Sequence, residues 1–394
     1  MWTYTNVLNQ DLQILIEISV ALVSTLYGPF DFARNILTLK LLVFNVLLPC
    51  AGISNLGFVS NFRDGSLWRF CGAFLMMRGL MLVIHLLWAA ARGRPYEGVA
   101  TNWLVTCWVS SSILGPPLME SVFGKEYELL AYWSDVSSFI FQLPVVLLFF
   151  EIDAVSRCWV GDRGKAIPQI DSSNGACQRI ENCQVENSVE YTAGDVVWYR
   201  KRVSRPEAYT ILWNMAKAPL MWALVAGVLL SVTTLGPRYL FPGFPYDPNC
   251  DYVEYTGFVY LFFSSLARCL EPLALFSVGI VLSKNNPFTC GVWNIIGYMA
   301  LKLIFVPFLM IGCAFTFGLS DIEGRAAVLI ALLPVSPPAF ALTGHYGVGL
   351  AEAVSTILVG KILVLPTILA WQGIMDSIGL FPYDAPPDAS VCTS

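Results

Sequence analysis

The sequence is short of charge. Only 13% of its 394 residues are Asp, Glu, Lys or Arg, against about 25% in an ordinary soluble domain. That is too little to cover a water-facing surface. The formal net charge is -5, which leaves no basic face for a nucleic acid. Histidine is rarer still, with 2 in the chain, and the 11 cysteines form no Cys-x-x-Cys pair. A zinc site is therefore not expected. Cys50, Cys71, Cys107, Cys269, Cys290 and Cys313 fall inside apolar runs, where cysteine acts as a small hydrophobe. There is no His-Glu-x-x-His, Gly-x-Ser-x-Gly or paired-aspartate signature, so the familiar intramembrane hydrolases have no foothold. The expectation is a protein that is not an enzyme and carries no cofactor.

What the sequence has in abundance is apolar length. Hydrophobic residues make up 56% of the chain. They gather in runs near the roughly 20 residues that cross a bilayer as a helix. Ten such runs stand out: 12–30, 36–57, 70–91, 101–123, 129–150, 211–233, 256–283, 290–318, 325–345 and 349–373. The first has no basic leader and holds Glu17, so it reads as a retained helix rather than a cleaved signal. Residues 151–206 are polar, with 8 Lys or Arg, 8 Asp or Glu and no helical stripe. They read as a solvated linker without a fold of its own. The expected organisation is a first five-helix unit at 1–150, the hydrophilic loop at 151–206, a second five-helix unit at 207–376 and a short tail at 377–394.

Basic residues near span ends set orientation. One side holds Arg34, Lys40, Arg92, Arg94, Arg157, Arg200, Lys201, Arg202, Arg205 and Lys284; the other holds Arg63, Arg69, Lys125, Arg238 and Arg325. The first set, about twice the second, marks the cytosolic side. Both termini then lie outside the cytosol and the central loop inside. The membrane itself is the plasma membrane or the endoplasmic reticulum on this reading.

Two runs contain breaks. The ninth reads ALLPVSPPAFALTG, with Pro334, Pro337 and Pro338; the fourth reads SSSILGPPLMESVFG, with Gly115, Pro116 and Pro117. Proline removes a backbone donor and clashes with the preceding turn, and in hydrocarbon the freed carbonyl has no water to bond. Such a break is tolerated where it lines a cavity. Interruptions in corresponding spans of two halves point to a transporter built from repeats. With five spans per half, the repeats are inverted, and the broken fourth and ninth helices can cross at the membrane midplane. Half-helix N-termini there would favour an anion.

The same stretches resemble a known family. ALLPVSPPAFALTGHYG is similar to the ninth-span motif of the auxin efflux carrier family, Ala-Leu-Pro-Gln-Gly-x-x-Pro-Phe-x-x-Ala-Lys-Glu-Tyr, with Leu333, Pro334, Phe340 and Tyr346 in register. ILGPPLMESVFG resembles its Gly-x-Pro-Leu-Leu-x-x-x-Tyr-Gly through Gly115, Pro117, Leu118 and Gly124. VVLLFFE at 145–151 resembles the end of its fifth span, KAPLMWALVAGVLLS at 217–231 its sixth-span Asn-Pro-x-x-x-x-x-x-Gly motif, and ALFSVGIVLS at 274–283 its Met-Phe-Ser-Leu-Gly motif. The resemblance implies an all-α transmembrane carrier of ten helices. Spans 1, 2, 6 and 7 would be a scaffold, spans 3–5 and 8–10 a mobile unit, and the molecule a homodimer. It also implies a small organic acid as substrate, with its carboxylate at the crossing. Four departures stand out. Ala339 takes the place of the ninth-span motif's second proline, with Pro337 and Pro338 just before it. Ser110 takes the place of an Asn that helps bind substrate, and a hydroxyl lacks the amide's fork. Ala218 replaces the Asn before the sixth-span Pro. Gly344 and His345 replace the Lys-Glu pair.

The expected substrate residues are Ser110, Ser111, Ser112, Gly115 and Pro117 in the fourth span, Pro334, Ser336 and Pro338 in the ninth, and Leu48 before Pro49 in the second. Charges inside spans are functional candidates. Asp135 is placed to face the same cavity. Arg268 and Glu271, at i and i+3, are spaced to pair on one helix face. Lys302 and Lys361 read as snorkelling residues, and Arg78, His85 and His345 as packed or interfacial ones. Trp103, Trp108 and Trp133 read as interfacial anchors ahead of substrate-stacking rings. The function expected is a carrier that exports or exchanges a small organic anion by alternating access. The alternative is a membrane sensor of carrier fold that binds a lipid or small molecule without moving it.

Overall fold

The computed structural model describes residues 5–27, 38–59, 66–92, 98–158, 199–200, 205–233, 258–284, 290–319 and 321–382. Most of the expected central loop, 159–198 and 201–204, and the last part of the tail, 383–394, lie outside the described residues. The described chain is all but entirely helical. Its one short ladder pairs Arg157 with Arg200 and Cys158 with Tyr199. The helices are α1 (Thr5–Tyr27), α2 (Thr38–Gly57), α3 (Ser66–Ala91), α4 (Val99–Cys107), α5 (Ser111–Val122), α6 (Glu128–Ser137 continued by Leu143–Ser156), α7 (Arg205–Lys217), α8 (Pro219–Thr233), α9 (Phe258–Lys284), α10 (Val292–Thr316), α11 (Asp321–Ala331), α12 (Pro338–Tyr346) and α13 (Leu350–Ile378).

Six of these are long and apolar enough to cross a membrane, and the bent pair α7 and α8 adds a seventh. The chain is a multi-pass, all-α integral membrane protein. The shorter apolar helices are α1 and the pieces α4, α5, α11 and α12, which are two runs cut by breaks. Lipid-facing stripes follow helical spacing. On α1, Leu12, Ile16, Val20 and Val23 are exposed, while Ile14, Ile18 and Ala21 are buried against α9. Glu17 on the same helix accepts a hydrogen bond from Gln13 Nε2 at 3.1 Å, one turn away.

Prolines shape three of the spans through wide turns. π-Helical turns at Val43–Leu47, Ser138–Gln142 and Leu301–Phe305 each end two residues before a proline, Pro49, Pro144 and Pro307. A proline ring clashes with the carbonyl four residues back. A π turn, with its longer i to i+5 ring, moves that carbonyl away and leaves the helix continuous. In the sixth span the outcome differs. Ala218 leaves the helix, Pro219 opens α8 at its first position, and α7 and α8 meet at 60°. Proline is preorganised for that first position, so the bend sits between the two pieces rather than within either. In the fifth span, α6 runs to Ser156, beyond the expected end at 150, because Ile152 and Ala154 continue its half-buried face.

Packing falls into two groups. α1 lies on α9, and α2 lies on α8 and α9; α1 also touches α5 of the second group, and α7 bridges α6 and α8. α3, α5, α6, α10 and α11 pack on one another, with α13 against α4, α10 and α12. The largest fully buried side chains are Trp103, Trp108, Trp133, Arg78, Phe70, Phe74, Phe123, Phe150, Lys302, Phe340 and Lys361. All belong to the second group.

Candidate functional site

The two breaks meet. Val109 and Val335 form an isolated antiparallel bridge. The Ser110 N–H donates to the Pro334 carbonyl at 2.9 Å, and the Ser336 N–H donates to the Trp108 carbonyl at 3.0 Å. Each break thus satisfies the other's orphaned backbone, which hydrocarbon would leave bare. The crossing is closed: Trp108, Val109, Ser110, Ser111 and Val335 are at most 1% exposed, and Ser336 is 4% exposed.

The break in the fourth span is not where its prolines are. It lies at Trp108–Ser110, between α4 and α5. Pro116 and Pro117 sit inside α5, more than a turn beyond. Their missing donors fall within a helix that stays continuous. Gly115 marks a close approach instead: a Cβ there would stand 2.5 Å from that of Ala131 on α6. In the ninth span the prolines do mark the break, between Ala331 and Pro338. α13 comes close to it at Gly360, where a Cβ would be 3.3 Å from that of Pro334.

The expected half-helix N-termini are both taken. At α5, Asp135 accepts from the Ser111 hydroxyl at 2.6 Å and from Asn55 Nδ2 at 3.4 Å. The Ser112 hydroxyl and backbone N–H also turn to its carboxyl. A protein carboxylate therefore already occupies the positive end of this half-helix. At α12, Pro337 and Pro338 have no N–H, and the Ala339 and Phe340 amides donate to the Ser336 and Pro337 carbonyls at 2.9 and 3.0 Å. The Ser110 hydroxyl, fully buried beside the bridge, has no hydrogen-bond partner among the described residues.

Of the expected site residues, Ser110, Pro334 and Ser336 form the crossing. Ser111 and Ser112 cluster on Asp135. Gly115 and Pro117 lie deeper in α5, and Pro338 is the first residue of α12. Leu48 is fully buried in α2, whose π turn before it packs on α12.

Several charges differ from expectation. Glu271 pairs with Lys361 Nζ of α13 at 3.4 Å rather than with Arg268, which is exposed on the same helix. A turn of spacing permitted the local pair, but Arg268 points outward and Glu271 inward. Lys361 and Lys302 are both 0% exposed and do not snorkel. Lys302 sits near the middle of α10, too far from either end for its stem to reach an interface. Its Nζ instead donates to the Thr106 carbonyl at 3.4 Å, at the C-terminal end of α4, where a cation is favoured. His85 meets the Thr106 hydroxyl at 3.0 Å, and His345 stacks on Phe44 with ring centres 3.9 Å apart. Trp103, Trp108 and Trp133 are buried at 0%, 1% and 0% exposure and are not interfacial. Trp103 Nε1 donates to the Arg78 carbonyl at 3.0 Å, and Trp108 meets Phe139 edge to face.

One feature escaped sequence reasoning: the cationic lining. Arg78 and Lys302 come from α3 and α10 to flank Cys107 at the end of α4, close enough for their charges to interact. The available signal was their mid-span position, since a cation far from both ends has to turn inward.

The family model described as "Membrane transport protein" matches residues 6–372. The curated protein "Auxin efflux carrier component 8" of Arabidopsis thaliana is 23% identical over 312 residues, covering 77% of this chain and 78% of that protein.

Proposed function

The chain belongs to the membrane transport protein family, and on that premise we propose that it is a secondary carrier of a small organic anion, working by alternating access. The crossing carries this reading: two broken spans whose backbones are joined by two hydrogen bonds, with a Ser110 hydroxyl between them that has no partner among the described residues. Two short half-helices on each side can shift together without losing the bridge. The group of α3–α6 and α10–α13 would move against α1, α2, α8 and α9. The two packing groups favour that division. The matched relative is named for auxin efflux, in keeping with an organic acid. The buried charge agrees in sign. Around the end of α4, Arg78 and Lys302 stand against the single carboxylate Asp135. An entering anion would balance them.

The proposed partners are a small organic acid, the bilayer and a second copy of the chain as a homodimer, with no nucleic acid. The central loop is proposed to be cytosolic and both termini non-cytosolic.

Counterflow in proteoliposomes tests the proposal. The full-length protein would be loaded with a panel of carboxylates that includes indole-3-acetate and malate, with and without a pH gradient. Saturable exchange of one acid is the expected result. Binding by thermal shift with no exchange of any acid would replace the carrier by a sensor.

A further inference from the structure

Arg78 is 0% exposed near the middle of α3. Its guanidinium is held on two sides. The ring of Phe74 lies under it, 5.4 Å from Cζ to the ring centre. Nη1 donates to the Ser134 carbonyl at 3.1 Å. The remaining donors, Nε and Nη2, are buried and have no hydrogen-bond partner among the described residues. These two nitrogens form one edge of the planar group. Their N–H bonds run parallel and match the two oxygens of a carboxylate. A buried cation with an open fork is an unusual thing for a fold to keep, because unsatisfied buried donors are destabilising.

The two half-helix starts at the crossing are already taken. Asp135 meets the start of α5, and α12 opens on two prolines whose following amides are internally bonded. Among the described residues the carboxylate whose charge reaches Arg78 is Asp135, and its oxygens accept from Ser111 and Asn55. Lys302 adds a second charge from across Cys107. We propose that the Nε–Nη2 edge of Arg78 is the carboxylate subsite of this carrier, receiving a planar oxyanion side-on. Phe74 backs the guanidinium, and the fully buried rings of Trp103 and Trp108 belong to the same apolar core. The substrate class is thus a carboxylate with an apolar body. Ser110 then keeps a lesser role, as a single donor at the crossing. This assignment rests on the carrier reading above and names the residue that grips its substrate.

The test uses full-length protein in proteoliposomes and in detergent. The probes are the best-exchanged acid of the panel and its primary amide. Arg78→Lys keeps the charge and loses the fork, so it should raise KM and the dissociation constant about tenfold while changing the maximal rate much less. Arg78→Gln should raise them about a hundredfold, while binding of the amide changes little. Wild type should bind the acid at least about a hundredfold more tightly than the amide. Arg78→Lys and Arg78→Gln both within twofold of wild type in affinity would overturn the subsite and leave the carrier standing. Wild type that neither exchanges nor binds any acid would overturn both. Where the Arg78 variants fail to melt cooperatively, the wild-type comparison decides. Equal affinity for acid and amide would sink the subsite.

Discussion

The break in the fourth span and the break in the ninth lie side by side and share their hydrogen bonds, yet they are built from opposite materials. The ninth break is proline chemistry. Pro334, Pro337 and Pro338 interrupt the helix by their own ring geometry, and its neighbours Leu332, Leu333 and Phe340 are apolar and buried. The fourth break, Trp108–Ser110, contains neither proline nor glycine. It is held open by the partner strand and is surrounded by charge: Asp135 on Ser111, Arg78 on Ser134, Lys302 on Thr106. One half of the molecule supplies a rigid backbone template, and the other half supplies the chemistry gathered around it. Even Lys302, from the second half, reaches over to the first half's helix end. Lys361, the other buried lysine of the second half, is tied to Glu271 on α9.

The shared bridge is the largest thing to break. Ser110 has φ -80°, within reach of a proline ring, so Ser110→Pro deletes its N–H without recasting the backbone. The Pro334 carbonyl then has no partner in a buried place, a cost of about 1–3 kcal/mol. We expect exchange to fall by more than about 90%, as two half-helices that no longer hold each other cannot move together. Ser110→Ala, which keeps the N–H, is the control and should retain most of the folded protein in thermal melting.

The second effect separates structural from working charge. Lys361→Met removes the lysine that pairs with buried Glu271 and should destabilise by about 3 kcal/mol. Adding Glu271→Leu should recover most of that, since a buried pair exchanged for apolar residues is often neutral. The substrate affinity of the double variant, measured by counterflow, should equal that of wild type. A changed affinity would place this pair in the transport path and erase the contrast between halves.

The same contrast marks how far the sequence could be read. Apolar length and low charge were enough for the all-α, multi-pass membrane class, because a lipid solvent leaves few other uses for 20 apolar residues in a row; of the ten expected spans, six or seven are long and apolar enough among the described residues. The pairing of interrupted spans was legible too, as prolines cluster in both. The position of the fourth-span break was not. Pro116 and Pro117 draw the eye, but α5 absorbs them, and the true break rests on a contact with residues more than 200 positions away. Charge pairing failed for a like reason. Spacing within α9 allowed Arg268 to meet Glu271, but which face turns inward is decided by packing against α13. Ser110, Pro334 and Ser336 were recognisable because each lies in or beside an interruption. Arg78 was not, because an isolated arginine in an apolar run looks the same whether it packs, snorkels or waits for a ligand.

Asp135 gives the third and milder effect. Asn in its place keeps an oxygen for the Ser111 hydroxyl and removes the charge. Stability should change by less than about 1.5 kcal/mol, the size of one ordinary hydrogen bond. Exchange should drop about tenfold, equivalent to about 1.4 kcal/mol. A polar cap made only for structure would leave exchange untouched, and the first half would then lose its claim to the chemistry.

The smallest effect belongs to the far end of the ninth-span half-helix. Tyr346, the last residue of α12, donates to Glu151 of α6 at 2.9 Å, and Asn214 of α7 donates to the other oxygen at 3.2 Å. Its ring also stacks on Phe150, centres 5.0 Å apart. α12 is therefore pinned at its start by the bridge and at its end by this contact, with an apolar face between. Tyr346→Phe keeps the stack and loses only the hydroxyl, so the loss should be about 1 kcal/mol in thermal melting. The affinity for substrate should not move, because nothing at this end of the helix meets the crossing. The rate is the sensitive readout. Glu151 links α12, through Asn214, to α7, which packs on α6 and runs through the 60° bend into α8 of the other packing group. If alternating access slides those groups past each other, loosening that link should raise the exchange rate modestly, about twofold, at unchanged KM. A raised KM instead would mean that the second half shapes the substrate site directly, and the division between template and chemistry would have to be redrawn.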